Sequence, residues 1–163
     1  MIKWFVAHNL VLNFDKMNKM KFITKNSSHS TLHTGYKEMY IEQTVNAKFL
    51  GLQIDIRINW KNHIEQMTPK LSTVFHSARS MVHISNINIL KSIYYAYFHS
   101  ITKYGIIFWG HSSNGGKLCT LQKKFMGIMA GAQPRNSCRC LFKQSDILPV
   151  PCQYIVINEL YYQ

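Results

Sequence analysis

From Ile64 to Met81 the apolar residues Ile64, Met67, Leu71, Val74, Phe75, Ala78 and Met81 recur at three- and four-residue spacing. That period lays one stripe along an α-helix, and the stripe must be buried against something. No such stripe precedes it. Between Lys19 and Ile54 short segments have strand character, and polar clusters separate them. The change of period after Asp55 therefore predicts short strands first and packed helices after.

Residues 1–14 predict a short helix, with Trp4, Phe5, Leu10 and Val11 loosely periodic. Asn13, Asp15 and Asn18 then punctuate the chain, and Lys19 to Thr24 alternates as a strand does. Asn26 to Thr34 is rich in Ser and His and reads as a loop. Glu38 to Thr44 and Ala47 to Ile54 each have strand character, with Val45-Asn46 as the turn between them. Antiparallel pairing suits this region better than crossover helices.

In the first long stripe Pro69 removes a donor at a cost of about 3 kcal/mol. A kink, or a helix start nearer Thr68, is expected there. Asn86 is a good N-cap for a second helix marked by Ile87, Leu90, Ile93, Tyr94, Tyr97, Phe98 and Ile101. This helix is apolar on most of its circumference, so it is the expected hub of a bundle. Gly105 and Gly110 limit its far end, and Ser112 to Gly116 is a turn. Leu118, Leu121, Phe125, Ile128 and Met129 mark a third helix closed by Gly131, and a short helix is expected over Cys138 to Gln144. Leu148-Pro149-Val150-Pro151 reads as a rigid linker into an apolar tail. At 163 residues the chain suits one domain or a compact piece of a larger one. The expected fold is α+β, a short antiparallel β-meander followed by a helical bundle.

Charge points to a partner. The net charge is +12, and from Gln66 to Ser145 there is no Asp or Glu. That stretch carries Lys70, Arg79, Lys91, Lys103, Lys117, Lys123, Lys124, Arg135, Arg139 and Lys143. Such a surface repels itself unless a polyanion lies near. Nucleic acid is the obvious one, because each neutralised phosphate releases counterions; a solvated basic surface is the plainer reading.

No secretory signal is recognisable, since Lys3, His8 and Asn9 interrupt the apolar N-terminal segment and no small-residue cleavage site follows. Ile93 to Trp109 is the most apolar window, yet His99 and Lys103 fall within it and it is short of the roughly 20 residues of a membrane span. An intracellular, cytoplasmic or nuclear protein is expected, neither secreted nor in a membrane. Cys138-x-Cys140 is too tight for a zinc knuckle, and every histidine lies before Cys119. Free thiols are expected at Cys119, Cys138, Cys140 and Cys152. His63 has no partner placed for catalysis and reads as a packing or capping residue at a helix start.

Two ordered stretches carry a resemblance. The first is Trp4, Asn9, Leu10, Leu12, Asn13, Lys16, Met20 and Phe22; the second is Lys48-Phe49-Leu50-Gly51-Leu52, Ile54-Asp55, Trp60 and His63-Ile64. Together they resemble the end of the palm and the start of the thumb of a reverse transcriptase from a jockey-like non-LTR retrotransposon. The helical part continues the likeness through Tyr94-Tyr95-Ala96-Tyr97, His99-Ser100, Tyr104 to Gly110, Leu121 to Lys124, Cys138-Arg139, Leu141-Phe142 and Ile147-Leu148-Pro149. The likeness covers nearly the whole chain, roughly residues 4–155, and fades after Ile157. It implies a palm-end segment with a primer-grip-like hairpin over residues 1–57, a helical thumb over 58–148 and a C-terminal tail over 149–163.

The resemblance also implies roles. Lys16 matches a lysine that can donate a proton to departing pyrophosphate, a task suited to an ammonium that is both cationic and acidic. Met17 stands where the family usually has Thr, and Gly127 where it tends to have an arginine. Phe49-Leu50-Gly51 matches the hairpin that presses on the primer terminus, where glycine permits close backbone approach. An ordinary strand with a glycine bulge is the plainer reading. Lys70, Arg79, Lys123, Lys124 and Arg139 are the phosphate candidates. The tyrosines and Trp109 could stack on bases at about 1–3 kcal/mol each, but their helical spacing favours a core role.

In the family a Tyr/Phe-Ala-Asp-Asp turn upstream of the first stretch binds the metal ions, and this sequence holds no paired Asp. Two-metal phosphoryl transfer needs clustered carboxylates, so a truncated RNA-directed DNA polymerase without activity of its own is expected. It would bind no cofactor, with Mg2+ expected only in the complete polymerase, and no metal-ligating residue is assigned. The implied partners are RNA or an RNA–DNA duplex and a separate palm or fingers fragment. The alternative is a non-catalytic basic nucleic-acid-binding protein.

Overall fold

Leu50 and Gly51 hold positive φ angles of 46° and 80°. Two successive residues of that kind close a two-residue hairpin whose twist matches its strands. The computed structural model describes residues 2–11, 13, 17–23, 35–36, 39–41, 43–131 and 138–161. The chain divides into two units, Met1–Ile58 and Asn59–Gln163. The fold class is α+β, as expected.

In the first unit α1 (Ile2–Ala7) ends at Asn9, whose φ is 52°. Leu10 N–H donates to Phe5 O at 2.9 Å and Asn9 N–H to Val6 O at 3.1 Å, the paired bonds of a Schellman cap. β1 (Gly35–Tyr36) pairs antiparallel with β2 (Met39–Tyr40), and β3 (Asn46–Phe49) with β4 (Leu52–Asp55). These are two separate two-stranded sheets among the described residues. The expected strand over Ala47 to Ile54 is thus a hairpin, and the turn lies at Leu50-Gly51 rather than Val45-Asn46. Asn46 instead pairs with Asp55 and Phe49 with Leu52. The alternation from Lys19 leads to one parallel bridge, Lys19 to Gln43, without a full strand among the described residues.

Near the start of the second unit Trp60 is left-handed, φ 61°. Its ring is buried beside His63 and Phe108, at centroid separations of 6.2 and 6.3 Å. α2 (Lys61–Met81) follows. Asn59 Oδ1 accepts the Lys61 N–H at 2.8 Å, and the Asn59 carbonyl accepts from Ser112 Oγ at 2.8 Å and Asn114 Nδ2 at 3.2 Å. The helix start is thereby tied to a 3-10 turn, Ser113–Gly115.

The helix does not start near Thr68, the later of the two starts that Pro69 left open. α2 starts at Lys61 and runs through Pro69, which is exposed, while Ile64, Met67, Leu71, Phe75 and Ala78 are buried. Tertiary burial of that stripe, at about 25 cal/mol per Å² of apolar surface, outweighs one lost backbone bond.

Asn86 caps α3 (Ile87–Ile93) through Oδ1, which accepts the Ile89 N–H at 3.1 Å. The helix continues through a π turn, Tyr94–His99, into α4 (Ser100–Lys103). Tyr94 and Phe98 are wholly buried, their rings stacked at 5.4 Å, and Phe125 packs on them at 5.5 and 5.8 Å. Only this face is central: Ile87, Tyr95 and Tyr97 are exposed, so the helix is not apolar-packed all round as expected of a hub. A tyrosine hydroxyl keeps water at one end of an otherwise apolar ring.

After Gly105 (φ 63°) come α5 (Ile106–Trp109) and then α6 (Gly116–Met129), closed at Gly131 with φ 57°. α7 (Cys138–Ser145) ends on a Schellman cap at Asp146, with Ile147 N–H on Phe142 O at 3.2 Å. The flanking Phe142 and Ile147 are both buried. α6 is the middle helix of the unit and packs against α2, α3, α7 and α8.

Leu148 to Pro151 is not a linker. Val150 opens α8 (Val150–Tyr161) and is 2 % exposed. Pro151 lies in the first turn, where a helix has no use for the missing N–H. No helix among the described residues is long and apolar enough to cross a membrane.

Candidate nucleic-acid interface

α6 sets adjacent lysines into two grooves. Successive residues of a helix project about 100° apart, so Lys123 and Lys124 diverge to either flank. On one flank, a groove of about 710 Å³ lies between α2 and α6. His76, Arg79 and His83 line it from the α2 side, and Lys124 from α6. Its floor is Phe75, Val82, Leu121 and Ile128, and no carboxylate lines it among the described residues.

On the other flank a groove of about 510 Å³ is lined by Lys123, Arg139 and Lys143 over Phe142, Ile147 and Leu148. Among the described residues Asp146 is the single carboxylate at its edge. Arg139 and Lys143 are four residues apart on α7, a like-charge pair that destabilises a helix by about 0.2–0.5 kcal/mol unless an anion intervenes.

The sequence-derived candidates are thus sorted. Arg79 joins Lys124, and Lys123 joins Arg139. Lys70 lines neither groove: nine residues from Arg79 on α2, it projects about 180° away. Lys16 lies outside the described residues, as does Arg135. Phe49 and Leu50 are 62 % and 71 % exposed at the β3–β4 tip beside Gly51, in the first unit. His76, His83 and Lys143 were not singled out from the sequence as site residues. Their signal was present, since His76, Arg79 and His83 fall at helical spacing on one face.

Other ionisable groups belong to the core. His63 is buried with its ring 6.3 Å from Trp109, and burial first, then Lys70, holds its pKa below the ordinary value. That is the packing role its position predicted. His99 is depressed by burial and then Lys103. Burial pushes the Tyr94 hydroxyl up despite its bond from Gln122. Trp109 is core, and its indole N–H donates to Tyr104 O at 3.1 Å. Tyr95, Tyr97, Tyr104 and Phe108 remain exposed.

Cys119, Cys140 and Cys152 are free thiols. Among the described residues no three His, Cys, Asp or Glu side chains converge on a metal position. Comparison of the chain with protein-family models, curated proteins and solved structures finds no match.

Proposed function

We propose that this chain is the palm-end and thumb portion of an RNA-directed DNA polymerase of the non-LTR retrotransposon kind, and that it holds RNA or RNA–DNA duplex by its phosphates. The observation that carries the reading is the pair of cationic grooves on either side of α6, whose cations all come from a stretch free of acidic residues. Their cations are spread along helices and flank apolar floors, which suits a backbone track better than a small-molecule pocket. The ordered likeness of Lys48 to Ile64 and of the helical segments supports the polymerase ancestry over an unrelated basic binder. Lys16 and the Phe49-Leu50-Gly51 tip are the proposed remnants of the nucleotide and primer sites. The chain acts inside the cell, and it does not polymerise alone because its acidic residues are scattered.

The test is fluorescence anisotropy with a labelled RNA–DNA duplex over a series of salt concentrations. Tight binding at low salt that weakens steeply, with little dependence on sequence, is the expected result. Binding that is absent at low salt, or unchanged by salt, overturns the proposal. Extension of a primed template by the purified chain with Mg2+ and nucleotides would overturn the claim of inactivity.

A further inference from the structure

Two of the free thiols sit on helices that a buried side chain clamps together. Gln122 of α6 accepts the Val150 N–H through Oε1 at 2.8 Å and donates to Leu148 O through Nε2 at 2.9 Å. Cys119 precedes Gln122 by one helical turn, on the same side of α6. Its side chain lines the same groove as Leu148 and Pro149, the residues that lead into α8. Cys152 lies in the first turn of that helix, two residues beyond Val150. Cys119 is half-buried and Cys152 exposed.

We propose that Cys119 and Cys152 form a reversible redox pair, which closes into a disulfide between α6 and α8 when the chain meets a small disulfide such as oxidised glutathione. The proposal stands apart from the nucleic-acid reading. The exposed Cys152 thiolate attacks one sulfur of the glutathione disulfide and expels a glutathione thiolate. The Cys119 thiolate then attacks the Cys152 sulfur of the mixed disulfide and expels the second glutathione. Two protein thiols lose two electrons and two protons, and one glutathione disulfide becomes two glutathione thiols.

The two positions suit the two roles. The attacking thiol must be reachable, and the resolving thiol must be near but shielded from solvent reagents. Burial raises the Cys119 thiol, Lys123 opposes that, and the neighbouring Cys152 adds to it. Gln122 supplies the pre-organisation, because its bonds hold the first turn of α8 against α6 before any sulfur chemistry begins.

The sequence makes the linkage easy to read. Trypsin cuts after Lys117, Lys123, Arg135, Arg139 and Lys143, so all four cysteines fall on different peptides. The folded chain is incubated with oxidised glutathione at low protein concentration, quenched with N-ethylmaleimide, digested and weighed. The expected product joins the peptides of residues 118–123 and 144–163, two hydrogens lighter than their sum. It should form in Cys140→Ser and be missing in Cys152→Ser, which should also leave Cys119 free of glutathione in the folded state. Three results overturn the proposal: Cys152 left only as a glutathione adduct, Cys152 linked to Cys138 or Cys140 instead, or equal glutathione uptake by Cys119 in Cys152→Ser.

Discussion

Gln122 donates through Nε2 to the Tyr94 hydroxyl at 2.8 Å, and both side chains are wholly buried. The same amide accepts the Val150 N–H, so one polar side chain joins the π turn, α6 and the start of α8. Buried polar groups are tolerated only when satisfied, and each orphaned partner costs about 1–3 kcal/mol. Gln122→Leu keeps the volume and removes every one of these bonds. It is expected to lower the unfolding free energy by about 2–4 kcal/mol, measured by urea denaturation. A loss below about 0.5 kcal/mol would show that water replaces the amide.

Gly110 is a contact glycine of another kind. A Cβ built there would stand 2.5 Å from Tyr154 Cδ2 and 2.6 Å from the Ile106 carbonyl oxygen, with no positive φ involved. The ring of Tyr154 lies on bare backbone where α5 meets α8. Gly110→Ala is expected to destabilise by about 1–3 kcal/mol through overpacking. Tyr154→Ala/Gly110→Ala should cost less than the two single changes added together, a double-mutant cycle that isolates the clash.

How much of this was legible depends on how local each cause is. The stripe from Ile64 to Met81 and the Asn86 cap are local, and both elements follow from them. The β3–β4 turn is not: Asn46 is a better left-handed residue than Leu50, yet the pairing of Phe49 with Leu52 imposes the turn on Leu50. Pro149-Val150-Pro151 reads as extended until Gln122, far off in sequence, supplies a partner for the Val150 N–H. The grooves were half legible. His76, Arg79 and His83 share a face by spacing alone, but only the packing of α2 on α6 brings Lys124 to them. Lys123 and Lys124 are adjacent in sequence, and the helix separates them into different grooves.

Gly127 lines the α2–α6 groove, and a Cβ there would meet nothing within 4 Å. A glycine inside a helix costs about 0.8–1.0 kcal/mol relative to alanine, and no close contact compensates here. Gly127→Ala should therefore stabilise by about 0.5–1 kcal/mol, seen as a higher urea midpoint at unchanged slope. Gly127→Arg should fit the same open space and add a cation beside Arg79 and Lys124. Tighter duplex binding with a steeper salt dependence is the expected outcome.

Burial depresses the pKa of His63 and of His99 from the ordinary 6.5. The folded chain therefore holds them neutral where the unfolded chain binds protons. Their contribution to stability is whole above pH 6.5, and it is lost as pH falls from there toward the folded values. Urea midpoints should fall on going from about pH 7.5 to about pH 5.5. His63→Gln should flatten that fall even if it lowers the midpoint throughout. A midpoint that rises on acidification would contradict the burial of these rings.

Polyanion binding by the grooves can be tested with changes that leave the core alone. Arg79, Lys124, Arg139 and Lys143 are exposed, so their replacement by alanine should shift stability by less than about 0.5 kcal/mol. Each phosphate contact removed lowers the slope of log affinity against log salt by about 1. Arg79→Ala/Lys124→Ala should then flatten the duplex-binding slope by about 2, as should Arg139→Ala/Lys143→Ala if one strand engages both flanks of α6. Asp146→Asn reverses the sign of the experiment. It removes the carboxylate that lines the α7 groove, and Asn keeps the left-handed cap that φ 57° requires. Binding should tighten at low salt while the urea midpoint stays put. If Asp146→Asn leaves the affinity unchanged while the Arg79/Lys124 pair still weakens it, the nucleic acid lies along α2 alone.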